Sequence, residues 1–299
     1  MEHQQLTGFR CRLGEGPIWD ERKRLLWWTD IPGAVVYTYD PADGKVERAI
    51  EGKNVGGFAL CGNESVLCAC LDGLYLWKAG GGFSRIASDF EGHPLRFNDC
   101  TTDARGRLLA GTRYLPEKSD GRYELGSLYR FDNDGSASIL EREVHLSNGL
   151  GFSPDNRILY YTDSLQRVIY RYDYDLDKGE LSNRGIFAKI PDDEGMPDGL
   201  TVDSRGCVWS ARWDDEHIVC YDPEGTVERT LPSPFRKTTS LAFGGEDLSD
   251  LYITTAAESA AGGGESPGAA ASGGYLYRVP LGIRGRIEHR ADILWERER

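Results

Sequence analysis

Short apolar runs broken by polar turns recur along the whole chain, and the long three-to-four spacing of an amphipathic helix is almost absent. Six segments share one pattern: EGPIWDERKRLLWWTD from Glu15, GGFALCGNESVLCACLDG from Gly56, NDCTTDARGRLLAGTR from Asn98, NGLGFSPDNRILYYTDS from Asn148, DGLTVDSRGCVWSARW from Asp198 and TSLAFGGEDLSDLYITTA from Thr239. Each opens on a small or polar residue and continues as a short apolar strand, a polar turn and a second apolar strand. The openings recur every 40 to 50 residues or so, the period of a four-stranded propeller blade.

A second motif follows each segment: YTYDPADGK, YLWKAGGG, YRFDNDGS, YRYDYDLDKGE, VCYDPEGT and YRVPLGIRG. Each reads as a strand running into a tight turn, where Asp, Asn, Gly and Pro supply the backbone angles. Two strands from each motif predict an all-β six-bladed β-propeller with four antiparallel strands per blade, as one domain over residues 1–299. Residues 1–12 are expected to add a strand beside the last blade, leaving no open edge. The stretch 256–274, rich in Gly and Ala, reads as a flexible loop.

The opening positions of the repeats are Glu15, Gly56, Asn98, Asn148, Asp198 and Thr239. In a propeller, equivalent positions on the innermost strands form a ring. This ring holds carboxylates, amides and a hydroxyl, with a gap at Gly56. Converging carboxylates without a Lys or Arg are costly to bury, and a cation relieves that cost. All-oxygen donors select a hard cation, one Ca, Mn or Mg ion, with Zn and iron(II) also accommodated.

Composition narrows the partners. The formal net charge is −13 over 299 residues. That charge disfavours nucleic acid and anionic membrane surfaces, leaving a small molecule as the expected partner. No basic, apolar leader or membrane-length apolar run is present, which points to the cytoplasm. The 7 cysteines include no Cys-x-x-Cys pair, so they read as reduced, buried small side chains and not as a disulfide frame or zinc-thiolate site. His93, His145 and His217 lack metal-triad spacing, and DNDG at 132–135 lacks the downstream acid of a calcium loop and reads as a turn. Gly-x-Ser-x-Gly and phosphate-loop motifs are missing too.

The motifs LGEGPIW (13–19), RFND (96–99), SNGLGFSPD (147–155), YYTDS (160–164), PDGL (197–200) and FGG (243–245), in this order, make the chain resemble the SMP-30/gluconolactonase/regucalcin family over its full length. The resemblance implies a divalent cation held by Glu15, Asn148 and Asp198, with Arg96 and Asn98 contacting substrate. It places an acidic substrate contact in the loop 114–124, where Glu117 is the nearest acid, and implies hydrolysis of a sugar lactone of the gluconolactone kind. Asp198 is the expected general base, and Tyr114 and Trp213 are candidates to pack on the sugar. Besides the 114–124 loop, two further departures bear on the substrate: Cys100 replaces the glycine usual after Asn-Asp, and RWDDEH (212–217) replaces a tryptophan–glycine–glycine run. The rivals are a calcium-binding regulatory protein without chemistry and an organophosphate-hydrolysing propeller.

Overall fold

The computed structural model describes residues 2–113, 125–233, 235–257 and 273–292. Glu117, Tyr114 and most of the 256–274 loop lie outside them. Among the described residues there is no helix, and the strands form six four-stranded sheets and one short two-stranded sheet, Asp89–Phe90 with His93–Pro94. This is the all-β, six-bladed β-propeller class that the repeat predicts.

The chain packs as two compact units, Met1–Asn54 with Ala188–Ile287, and Val55–Phe187 with Glu288–Arg299. The first unit holds three sheets. Sheet one runs Gly14–Asp20, Leu25–Asp30, Val35–Tyr39, Val46–Glu51, and sheet five runs Met196–Val202, Val208–Trp213, His217–Tyr221, Val227–Pro232. Sheet six runs Thr238–Gly244, Asp250–Thr255, Tyr277–Pro280, with Gln4–Gln5 as its outer strand. Gln4 pairs with Arg278 and Gln5 with Tyr277, so the N-terminal segment does complete the last sheet. The core gathers Trp209, Leu241, Phe243, Leu251 and Ile253 in one cluster and Trp19, Leu26, Trp28 and Tyr252 in another. Each such side chain contributes about 1.5–3 kcal/mol on burial.

The second unit holds the other three. Sheet two runs Val55–Leu60, Val66–Cys70, Gly73–Lys78, Gly82–Ala87, and sheet three runs Phe97–Thr102, Leu108–Thr112, Gly126–Phe131, Ala137–Val144. Sheet four runs Ser147–Phe152, Ile158–Asp163, Val168–Asp175, Glu180–Lys189. Its core is built from Leu67, Leu74, Phe97, Leu108 and Phe131, and from Leu109, Leu128, Leu159 and Tyr161.

Two sequence devices each recur in more than one sheet. The first is an acid at the turn between the first and second strands. Asp103 Oδ1 accepts from the amides of Arg105 and Arg107, and Asp203 Oδ1 from those of Arg205 and Cys207. The side chain thereby satisfies the amides that the turn leaves over. Gly206 sits in the same turn at φ +90°, a conformation that favours glycine. The second device is the Thr-Asp ending of the second strand. Asp30 accepts from the amides of Arg12 and Leu13 at 3.1 Å each, and Asp163 from those of His145 and Leu146 at 3.0 Å each. Each carboxylate holds the chain just where it enters the first strand of its sheet. The residues it positions stand two or three before Glu15 and Asn148.

Candidate functional site

In the second unit the opening positions of three successive sheets are neighbours. A Cβ on Gly56 would run into the carbonyl oxygen of Phe97 and the Cα of Asn98. Glycine therefore stands there because sheet three's backbone lies against it, which explains the gap in the series. Asn98, at a register shift between Phe97 and Asp99, donates Nδ2 to Asn148 Oδ1 and to the Ser147 carbonyl, both at 2.7 Å. Its Oδ1 accepts from Arg113 Nη1 at 3.2 Å. Asn148 in turn donates Nδ2 to Ser164 Oγ at 2.8 Å. This chain of bonds fixes which end of each amide is oxygen, and Asn148 presents Oδ1 on the side away from Ser164. Both amides are nearly buried, Asn98 at 9% exposure and Asn148 at 7%.

Arg96 stands beside this network. Its carbonyl accepts from the Arg113 amide at 2.9 Å, and the residue is exposed. Sequence reading did not single out Arg113, Ser164 or Asp99. Ser164 closes the quoted YYTDS motif and Asp99 closes RFND, so a signal existed for both. Arg113 had none beyond directly following the strand Leu108–Thr112. Asp99 accepts from the Cys100 amide at 2.7 Å, yet burial pushes its carboxyl up to about 7. The cost of an ion out of water exceeds the gain from that bond.

In the first unit the same arrangement recurs around Asp198 and Glu15. A Cβ on Gly199 would collide with Ser240, so sheet five's first strand lies against sheet six's. Thr239 Oγ1 donates to the Gly14 carbonyl at 2.6 Å, which ties sheet six's first strand to sheet one's. The Thr239 hydroxyl also meets Thr254 Oγ1 at 2.9 Å and is fully buried. Its place in the series is structural: it braces the strand that carries Glu15. Glu15 and Asp198 are nearly buried, at 9% and 5% exposure, and Glu15 Oε2 accepts from the Gly16 amide at 3.2 Å.

The segment RWDDEH is also built in detail. Arg212 is wholly buried, with its guanidinium on the Tyr221 hydroxyl at 2.5 Å. Asp214 takes φ +64°, a left-handed conformation that aspartate tolerates. Asp215 accepts from the Gly195 and Glu216 amides and holds His217 Nδ1 at 2.7 Å. Lys237 Nζ lies 5.1 Å above the Trp213 ring, which leaves that ring with a cation–π partner. His145 sits between Asp163 and Gln166, and Asp132 to Gly135 form a hydrogen-bonded turn.

In the first unit Glu15 and Asp198 are nearly buried carboxylates, and in the second the amide oxygen of Asn148 has its direction set by Ser164; each is an oxygen group of the kind that hard cations take. The model of the SMP-30/gluconolactonase/LRE-like region matches residues 13–257, and the chain belongs to this family. It is 39% identical to a pentonolactonase of Haloferax volcanii, over 95% of this chain and 96% of that one. It is 37% identical to a 6-deoxy-6-sulfogluconolactonase of Pseudomonas putida, over 82% and 84%. Among solved structures, a calcium-binding protein, regucalcin, of Agrobacterium tumefaciens superposes with a TM-score of 0.85 at 25% identity, covering 97% of each chain. No helix among the described residues is long and apolar enough to cross a membrane.

Proposed function

We propose that the protein hydrolyses a sugar lactone of the aldonolactone kind to the aldonic acid, with one divalent cation held by Glu15, Asn148 and Asp198. The observation that carries this reading is the amide relay Arg113–Asn98–Asn148–Ser164, which aims one oxygen and sits beside an exposed arginine. A protein that only bound a cation has no need of Arg96 there. The lactonase names of the two relatives support the same chemistry. When bound, the cation supplies Lewis acidity to the ester carbonyl.

The chain's own residues do the rest. Arg96 donates to hydroxyls of the sugar. Asn98 has both Nδ2 protons engaged, so it meets substrate only through the remaining lone pair of Oδ1, as an acceptor from a hydroxyl. The Asp198 carboxylate takes the proton of the attacking water as general base. Glu117, on the family's pattern, adds an acidic contact to the sugar. The whole of residues 1–299 acts as one domain in this scheme.

The test is turnover of Asp198→Asn on a panel of aldonolactones across a titration of calcium, manganese, magnesium or zinc, with occupancy measured separately. A general base predicts kcat lower by roughly 10²- to 10⁴-fold at saturating cation. Full recovery of kcat at high cation removes Asp198 from that role. A wild-type protein that binds cation but turns over no lactone favours the cation-binding reading instead.

A further inference from the structure

Sheet five carries a second cluster of different chemistry. Cys207 follows the turn that Asp203 organises, and Cys220 lies in His217–Tyr221, where it pairs with Trp209. Cys207 is two residues before Trp209, so both thiols point to the same face of the sheet. On the outer strand Cys220 pairs with Arg229 and Tyr221 with Val227. Glu228 is left over as a β-bulge, the device that re-aims a side chain. Here the bulge turns the carboxylate toward the cysteines: Glu228 Oε2 is 3.1 Å from Cys207 Sγ and 3.8 Å from Cys220 Sγ.

The two sulfurs and the carboxylate oxygen lie within 4.8 Å of one another. A tetrahedral zinc with bonds of about 2.3 Å to sulfur and 2.0–2.2 Å to oxygen sets its donors roughly 3.5–3.8 Å apart, so the triangle needs only small side-chain shifts to close on an ion. Cys207 and Cys220 are buried, while the Glu228 side chain is 27% exposed and opens the cluster to solvent. Asp203, wholly buried, adds negative charge beside the thiols and accepts from Trp209 Nε1 at 3.1 Å. Arg205 pairs with Glu228 through two contacts of 3.1 Å. Its side chain is 49% exposed, so it can withdraw or remain on the other oxygen when a cation arrives.

We propose that Cys207, Cys220 and Glu228 form a site for a thiophilic divalent cation, zinc or cadmium, with solvent in the fourth position. The site is distinct from the oxygen donors of the lactonase reading. Asp198 and Asp203 are separated along one strand by five residues, roughly 16 Å at 3.3 Å per residue. Binding replaces two thiol protons: the cation and two thiols give a bis-thiolate complex and two protons in solution. Burial pushes the Cys207 thiol up to about 12 and raises that of Cys220 further, so affinity strengthens with pH. The ion would join the second, third and outer strands of the sheet at their turn end.

The experiment is a titration of the chelator-stripped, full-length protein with cadmium chloride, read by thiolate-to-cadmium charge-transfer absorption. A site of oxygen donors gives no such band, so the outcome is independent of the lactonase proposal. Expected is a band that saturates at the first equivalent, is lost in Cys207→Ser and Cys220→Ser, and needs about tenfold or more cadmium in Glu228→Gln, by analogy with the loss of a supporting ligand. Glu228→Gln alters a part-exposed side chain and carries the test if the serine variants fail to fold. A first-equivalent band unchanged in Cys220→Ser or Glu228→Gln overturns the proposal, as does the lack of any band in the wild type.

Discussion

Ser164→Ala probes the aim of Asn148 without touching any proposed cation ligand. The Ser164 hydroxyl accepts Asn148 Nδ2 at 2.8 Å, and both side chains are nearly buried, at 2% and 7% exposure. Removing the acceptor leaves a buried N–H without that partner, which costs about 1–3 kcal/mol of folding stability. It also frees the amide to rotate, so that Oδ1 is no longer held in one direction. Losing a group that orients a ligand lowers cation affinity by roughly 10- to 100-fold, or about 1.4–2.7 kcal/mol. The assay pairs calorimetric titration of calcium or manganese with the denaturant midpoint of the cation-free protein. The expected result is a drop in both, with Asn148→Ala no worse than additive with Ser164→Ala in stability and no weaker in affinity than the double variant. If Ser164→Ala leaves cation affinity within twofold of wild type while the fold is intact, Asn148 is not held for ligation by this bond and the relay loses its purpose.

Three further outcomes follow from the same geometry. In the proposed reading the Arg96 guanidinium binds substrate and does not ligate, so Arg96→Ala should raise KM for a polyhydroxylated lactone and leave cation affinity near wild type; collapse of cation binding shows it to be a structural support. Chelation lowers the melting temperature, since a cation bound only by the folded chain stabilises it by about 2.7 kcal/mol at a hundred times Kd; identical melting curves with and without cation speak against the site. In cation-free protein Asp99 holds its proton up to about 7, whereas an unfolded aspartate releases it near 3.9 or so. The folded chain therefore binds more protons between those values, and stability falls as pH rises through them. Asp99→Asn removes the effect, so its denaturant midpoint should gain on wild type from pH 4.5 to 8; a constant difference refutes the burial argument.

The propeller class was legible because each blade repeats short apolar strands around a polar turn, at a period of 40 to 50 residues or so. Turn aspartates mark that turn in sheets three and five, and Thr-Asp endings close the second strand in sheets one and four. The site was less legible. Glu15, Asn148 and Asp198 stand out as oxygen-bearing openings of a repeat, but Thr239 occupies the same position and its hydroxyl bonds the Gly14 carbonyl. Position in the repeat does not tell a ligand from a brace. Gly56 likewise reads as a gap until the backbone of Phe97 and Asn98 is seen against it. The cysteines of sheet five gave no spacing signal, because a register shift on a neighbouring strand, invisible in composition, brings Glu228 to them.

The two departures noted in the sequence differ in what they change. In RWDDEH, the two aspartates each have a defined backbone or hydrogen-bonding role. Asp214 adopts the left-handed angle, and Asp215 satisfies the amides of Gly195 and Glu216. A Cβ on Gly195 would strike Asp215 and the Trp213 carbonyl, so this loop and the segment before Asp198 are fitted to each other. The replacement therefore adds bonds that hold the stretch leading into Pro197 and Asp198. Cys100 acts differently: its sulfur lies against Gly57, filling space between two sheets next to Asp99. The first change bears on how firmly Asp198 is placed, the second on how dry the Asp99 carboxyl is kept. Catalytic rate should respond to substitutions in the 212–217 segment, and the pH dependence of stability to substitutions at Cys100.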